Sequence, residues 1–255
     1  MRLNPEKTND LIPALEKLAL DKGYEKIFAK IPAPAFPVFK SAGYHKEAVI
    51  PGLYSGTTDG CLAAKYFSAK RKKAPTEEIL LPLDRPPGEN GAGQSQSAPK
   101  NAHRIFVCRR SDVKEMSALF KQVFKTYPFP IHRPEFLIRM MEDNAIYFCI
   151  RIEGAIAAIA AAEMDAEHQN AEMTDFATHP KWRRMGFAGL LLHHMETTVA
   201  GLGIKTVYSI TRAASAGMNK VFFNMGYQHG GVLKNNSQIC GSIESMAVWY
   251  KQLRV

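Results

Sequence analysis

At 255 residues the chain exceeds one average domain and falls short of two comfortable ones. Its 46% hydrophobic and 22% charged residues are enough to bury a substantial core, which excludes disorder over most of the length. The longest purely apolar run, Ala155–Ala162, is far shorter than the roughly 20 residues that cross a bilayer. Arg2, Glu6, Lys7 and Asp10 leave no apolar block for a signal peptide, so no membrane association and a cytoplasmic setting are expected. Cys61, Cys108, Cys149 and Cys240 form no Cys-x-x-Cys pair, which fits reduced thiols and argues against a zinc ribbon. The net charge of +9 is spread over both halves of the chain instead of being gathered into a basic arm. That balance suits anionic small molecules such as phosphates, and no nucleic-acid partner is expected.

In chain order, residues 1–70 read as a short α/β unit. Lys26–Pro32 parallels Thr206–Arg212, and Phe39-Lys40-Ser41-Ala42-Gly43-Tyr44 parallels Phe222-Phe223-Asn224-Met225-Gly226-Tyr227. A glycine at Gly23 and at Gly203 precedes the first strand of each pair. These parallels predict that the N-terminal unit is a degenerate repeat of the second half of the C-terminal one. Residues 71–102, rich in Pro and Gly, read as a linker, with Lys70-Arg71-Lys72-Lys73 a solvated charge run at its start.

The remainder, 103–255, alternates between strand and helix patterns. A strand at Arg104–Arg109 precedes a helix beginning at Asp112, with Met116, Leu119, Phe120, Val123 and Phe124 on one face. Tyr127-Pro128-Phe129-Pro130 ends that helix, and Pro134 opens another. Ala145–Ile152 and Ala155–Met164 flank the hairpin signal Glu153-Gly154. Then come a strand at Glu172–Thr178, a helix at Gly186–Val199, a strand at Thr206–Ile210 and a helix at Ala214–Met225. Strands at Gln228–Leu233 and Glu244–Tyr250 close the chain. The order predicts an α/β fold with a mixed central sheet flanked by helices.

The most informative stretch is Asp175-Phe176-Ala177-Thr178-His179-Pro180-Lys181-Trp182-Arg183-Arg184-Met185-Gly186-Phe187-Ala188. A strand runs into a basic turn, and Arg183-x-x-Gly186-x-Ala188 opens an apolar helix. Unpaired N–H groups and partial positive charge at a helix N-terminus suit a pyrophosphate, and small residues at 186 and 188 let the backbone approach it.

This strand–loop–helix resembles the coenzyme motif of the GNAT family of N-acetyltransferases, and the element order resembles that fold. The resemblance implies acetyl-CoA as co-substrate, with no metal. It implies coenzyme contacts from Phe176, Ala177 and Thr178 at the strand end and from Arg183, Arg184, Met185, Gly186, Phe187 and Ala188 in the loop. Ser215, Asn219 and Phe222 are implied on the following helix. Phe222 stands where the family often has the tyrosine that protonates the leaving thiolate. Tyr127–Ile131, Glu172–Thr178, Gly217-Met218-Asn219, Asn235-Asn236 and Glu244–Lys251 together resemble β-lysine N-acetyltransferases, which make Nε-acetyl-β-lysine, a compatible solute. This further resemblance implies a small-molecule amine acceptor bound by Tyr127, Asn235, Asn236 and Glu244. On the residues alone, Asn235-Asn236 also reads as a turn-forming pair. Other acceptors (a polyamine, an amino sugar, a protein N-terminus) and a non-catalytic acetyl-CoA sensor are alternative readings.

Two carboxylates are candidates for the base, Glu172 and Asp175. Side chains alternate along a strand, so the two point to opposite faces unless a bulge intervenes. The family resemblance implies Glu172, at the opening of the strand where several members have a catalytic carboxylate, as the base. His193-His194-x-Glu196 shares a helix face but lacks the spacing of a metal site. Cys149 and Cys240 have no basic partner nearby in sequence, and Ser215 and Ser245 lack a hydrolase setting.

Overall fold

The computed structural model describes residues 8–73 and 103–253, with side chains from Asp10 onward. The stretch read as a linker therefore lies mostly outside the described residues. The N-terminal segment forms α1 (Thr8–Asp21), β1 (Lys26–Pro32), α2 (Phe36–Ser41), β2 (His45–Tyr54), β3 (Thr58–Tyr66) and α3 (Ala69–Lys72). The C-terminal segment forms β4 (Ile105–Val107), α4 (Val113–Val123), α5 (Pro134–Asp143), β5 (Ala145–Ile152), β6 (Ala155–Asp165) and β7 (Asn170–Thr178). It continues with α6 (Phe187–Gly201), β8 (Thr206–Arg212), α7 (Ala216–Asn224), β9 (Gln228–Ile239) and β10 (Ser242–Gln252).

Local chemistry accounts for these boundaries. Helix α4 buries Val113, Met116, Leu119 and Phe120, a single stripe at helical spacing. Glu153 and Gly154 both adopt positive φ, 52° and 82°, which is the turn that matches the twist of a tight hairpin. Cys240 and Gly241, at 53° and 95°, make the same turn between β9 and β10. The hairpin therefore does not turn at Asn235-Asn236. Strand β9 runs through them to Ile239, and Asn235 (φ 43°) lies opposite the register shift between Glu244 and Met246. The basic run at 70–73 keeps Lys70, Lys72 and Lys73 exposed, as expected, but it is partly helical. Its first three residues lie in α3, capped by Ser68, and the Asn235 amide donates to the carbonyls of Arg71 and Lys73.

All ten strands form one sheet in the order β1-β3-β2-β9-β10-β8-β7-β6-β5-β4. Every pairing is antiparallel except β7 with β8. The N-terminal strands are therefore part of the sheet, joined through β2 and β9 at Ala48↔Gly231. A side chain at Gly231 would place its Cβ 2.4 Å from the Glu47 carbonyl oxygen, and one at Gly230 would stand 2.5 Å from that of Val49. Only glycine lets the two backbones meet there.

The sheet is also rolled. The Lys30 ammonium on β1 lies 2.5 Å from the Tyr208 hydroxyl on β8, although four strands intervene in the ladder. Five flat strand steps would separate β1 and β8 by roughly 24 Å, far beyond a lysine's reach. One face packs α6 and α7 over Met173, Val207, Ala247 and Trp249, and α1 and α2 over Ile31, Phe39, Tyr44 and Cys61. The concave face carries α4 and α5 over Tyr147, Ile159 and Ala177, and a second cluster of Ile50, Leu62, Tyr208, Leu233 and Val248.

Candidate active site

The parallel pair β7–β8 is in register only at Asn170↔Thr206, Ala171↔Val207 and Glu172↔Tyr208. Beyond Glu172 and Tyr208 the strands part, so these two residues stand at the apex of a V. At its open end, β7 passes through a short turn at Pro180–Trp182 into α6. Arg184 (φ 67°) and Gly186 (φ 76°) take left-handed backbone there, and Gly186 caps α6 with no side-chain hydrogen bond. The first-turn amides of α6 therefore have no intrahelical acceptor and no competing cap. A Cβ added to Gly186 meets nothing within 4 Å. Arg183, Arg184, Met185 and Gly186 are exposed and Ala188 is half-buried. The donors, the open space and the two guanidinium groups fit a pyrophosphate.

The other expected coenzyme residues divide. Phe176 and Thr178 are half-buried at the end of β7, and Ser215 is half-buried ahead of α7, at the end of β8. Ala177 packs into the cluster beneath α4, and Phe187 is buried edge-on to His103. Asn219 is fully buried with its amide in use. It donates to the carbonyls of Arg212 and Ala213 and accepts from Thr211 Oγ1 and Trp249 Nε1, so it ties the β8–α7 turn to β10. Phe222 is fully buried against Phe176 and Tyr227. A hydroxyl donor is missing at that position.

The carboxylates depart from strand alternation. Ala161 faces Thr174 and Ile159 faces Ala177, so β7 carries one extra residue, and Asp175 takes φ 55°. This bulge turns Asp175 to the same face as Glu172, and the charge of Glu172 acts on it. Asp175 is 5% exposed and accepts from the Tyr127 hydroxyl at 2.7 Å and the Tyr147 hydroxyl at 3.3 Å. Burial pushes its pKa up to about 6 against the pull of Tyr127, with Glu172 adding to the rise.

Glu172 lines an open pocket of about 520 Å³ on the concave side, together with Lys30, Asp143, Glu163, Asp165, Glu167 and Tyr208 among others. This volume is within the range of small-molecule sites. Glu163 stands directly opposite Glu172 across the β6–β7 ladder, so two carboxylates share one face. Burial, with the charges of Glu172 and Asp175, pushes Glu163 up to about 8. Burial also raises Glu172, opposed by the Lys30 charge and a hydrogen bond from Tyr208. Near neutral pH the protonated form of Glu163 is thus favoured, while Lys30 and Tyr208 both pull Glu172 toward its carboxylate form.

Of the expected acceptor residues, Tyr127 stands beside these carboxylates, within reach of the Glu172 charge, while Asn235 and Glu244 have partners of their own. Tyr127 is bonded to Asp175, Asn235 anchors the end of α3, and Glu244 makes a two-point ion pair with Arg212 at 2.6 and 2.8 Å. Asn236 leaves a buried amide oxygen without a partner. The β9–β10 turn does meet the loop carrying Tyr127, through amides of Cys240 and Gly241 donating to Thr126. Sequence reasoning missed Lys30, Glu163, Tyr147 and Tyr208. The hairpin at Glu153-Gly154 offered a route to Glu163, because continuing the meander sets it opposite Glu172. Lys30 had no such signal, since only the roll of the sheet brings it near. Glu196, weighed as a metal ligand, is paired with Lys251 at 2.8 Å.

Residues 113–227 match the model of the acetyltransferase (GNAT) family. A β-lysine N(6)-acetyltransferase from Methanococcus maripaludis is 32% identical over 246 residues, covering 95% of this chain and 88% of that protein. The N-acetyltransferase YodP of Bacillus subtilis is 30% identical over 252 residues, 95% of this chain and 87% of that one. Among solved structures, a phosphinothricin acetyltransferase of Sinorhizobium meliloti in complex with AcCoA superposes with a TM-score of 0.52 at 16% identity. It covers 59% of this chain and 88% of its own, a likeness of fold alone. The chain belongs to the GNAT family and is an N-acetyltransferase, a family that uses acetyl-CoA. Among the described residues, no helix is long and apolar enough to cross a membrane.

Proposed function

We propose that the protein transfers the acetyl group of acetyl-CoA to the terminal amine of β-lysine, giving the compatible solute Nε-acetyl-β-lysine. The observation that carries this reading is the carboxylate-lined pocket at the apex of the V, with Glu172 both in its lining and at the point where β7 and β8 part. A β-lysine carries two ammonium groups and one carboxylate, and a pocket of several carboxylates with a single lysine complements that pattern. The relatives named for the same reaction add to this support.

The loop from Arg183 to Ala188 holds the coenzyme pyrophosphate through α6 amides and guanidinium groups. When bound, acetyl-CoA supplies the thioester carbon that the free amine attacks; the C–N bond forms, the C–S bond breaks, and the departing thiolate takes up the second amine proton. The acceptor arrives as an ammonium with a reference pKa near 10.4, so a proton must leave first. Glu172 takes it, through a water, and its raised pKa narrows the mismatch with so basic an amine. Protonated Glu163 keeps a second negative charge away from Glu172. Asp175 positions Tyr127 and Tyr147. On the β8 side, β7 has no ladder partner past Glu172, so its free N–H groups can stabilise an oxygen that gains charge.

The excess of carboxylates also suits a polyamine, which is the second reading. Incubation with acetyl-CoA and a panel of β-lysine, α-lysine, diamines and amino sugars, read by mass spectrometry, decides between them. The highest kcat/KM is expected for β-lysine, and a clear preference for a carboxylate-free polyamine contradicts the proposal.

A further inference from the structure

The pocket read as the acceptor site draws on both the N-terminal segment and the catalytic segment of the chain. Its carboxylates come from α5, β6, the β6–β7 turn and β7, and among the described residues its only Lys or Arg comes from β1, at the far edge of the sheet. Lys30 crosses the concavity to donate to Tyr208, whose hydroxyl in turn bonds Glu172. Its charge also acts on Glu163, Asp165 and Glu172. The ammonium has three donors, and Tyr208 occupies one of them.

The N-terminal repeat gives an independent reason to single out this lysine. In the β1–β3 and β8–β10 ladders, Lys30 pairs with Leu62 and its counterpart Ile210 pairs with Val248. Ile210 packs into the apolar cluster of the concave face. A position that is apolar in one ladder thus holds a cation in the other, and that cation lines the pocket.

We propose that Lys30 is a specificity-determining residue: its ammonium binds the carboxylate of the acceptor and selects an amino-acid substrate over a carboxylate-free diamine. The carboxylate caps the free donors of Lys30, while the terminal amine lies toward Glu172. This rests on the reading of the pocket as the acceptor site of an acetyltransferase.

The test compares β-lysine with 1,4-diaminopentane, which is β-lysine without its carboxyl group, in wild-type, Lys30→Met and Lys30→Arg proteins. Lys30→Met should lower kcat/KM for β-lysine by roughly 100-fold, mainly through KM, because a charge-assisted pair is lost. It should raise kcat/KM for the diamine several-fold, since a like charge is removed from a pocket that otherwise attracts dications. Lys30→Arg should recover most of the β-lysine activity. Both substrates need the same base, so a change in Glu172 ionisation cancels in their ratio. Equal losses on both substrates, with an unchanged ratio, overturn the assignment of Lys30 while leaving the acetyltransferase reading intact. Wild-type protein that acetylates neither amine overturns both.

Discussion

Two regions of this chain have the same plan and different contents. Residues 8–66 run α1-β1-α2-β2-β3, and residues 187–252 run α6-β8-α7-β9-β10. Lys26↔Tyr66 through Ile31↔Cys61 in one ladder matches Thr206↔Gln252 through Thr211↔Ala247 in the other. Phe39 meets Tyr44 edge-on at 5.1 Å, and Phe222 meets Tyr227 at 4.9 Å. Glu16 pairs with Lys65 at 2.7 Å and Glu196 with Lys251 at 2.8 Å. Each lysine also donates to the end of the short helix, at Ala42 and Met225 respectively. Ala48, four residues after Tyr44, pairs with Gly231, four residues after Tyr227, so a local two-fold passes through the junction. We propose that residues 1–70 are a degenerate copy of the half-unit that ends the catalytic fold.

The difference between the copies is instructive. The C-terminal copy has a strand beside β8, and the V between them leads to the coenzyme loop. The N-terminal copy has β1 at the open edge, and residues 1–70 contain no Arg-x-x-Gly-x-Ala. What persists in both is the Glu–Lys–Tyr framework of the outer face, which stabilises the half-unit. What has diverged is the concave face, where the N-terminal copy contributes Lys30 and the C-terminal copy Tyr208 to the proposed acceptor pocket. Framework and site are separable because they occupy opposite sides of one sheet.

The junction is the place to break this arrangement. Gly231→Val sets side-chain atoms against the Glu47 carbonyl and Ala48, and should cost about 3 kcal/mol or more, since backbone has to move. Urea denaturation followed by circular dichroism reads the loss, and an unchanged midpoint means that the halves do not depend on this contact. Glu172→Gln keeps the shape and removes the proposed base. It should lower kcat at neutral pH by roughly 100-fold with coenzyme affinity retained, and part of the loss should return at high pH, where more free amine exists. If Glu172→Gln stays near full activity while Asp175→Asn is dead, the roles of the two carboxylates are reversed.

The coenzyme loop sharpens the contrast, because the sequence of the N-terminal copy lacks it. Gly186→Val fills the open space ahead of α6 and strains a left-handed residue, and should raise the acetyl-CoA KM by about 10-fold or more. Unchanged affinity in the folded variant removes the loop from the coenzyme site. The smallest effects test the shared framework. Glu16→Gln should cost about 0.5 kcal/mol and Glu196→Gln about 1 kcal/mol, the second being larger because Glu196 is the more buried carboxylate. The double variant should show additive losses, and strong coupling between the two sites argues against independent half-units.

The order of strands and helices over 103–253 was legible because each element had a strong local cue. Pro134 opened α5, Glu153-Gly154 turned a hairpin, and Gly186 capped α6. The coenzyme loop was legible for the same reason, since its chemistry lies in one short segment. The proposed acceptor pocket was legible only in part: the β6–β7 meander sets Glu163 opposite Glu172, but Lys30 reaches it only through the roll of a ten-stranded sheet. The face of Asp175 depended on a bulge that strand periodicity does not reveal. Asn235-Asn236 had the composition of a turn, yet Cys240-Gly241 makes it, and Asn235 is held instead by the carbonyls around α3. Asn219 and Phe222, expected at the coenzyme, are each wholly buried, one by its amide network and the other by aromatic packing.

The central claim is that an acceptor entering the concave face presents its terminal amine at the apex of the V, beside Glu172. The most direct measurement is the position of the acetyl group on β-lysine after turnover by the full-length protein, located by fragmentation in the mass spectrometer. The account predicts a single acetyl group on the terminal nitrogen, formed far more slowly by Glu172→Gln. Acetylation of the amine next to the carboxylate, or the same product at the same rate from Glu172→Gln, would contradict it.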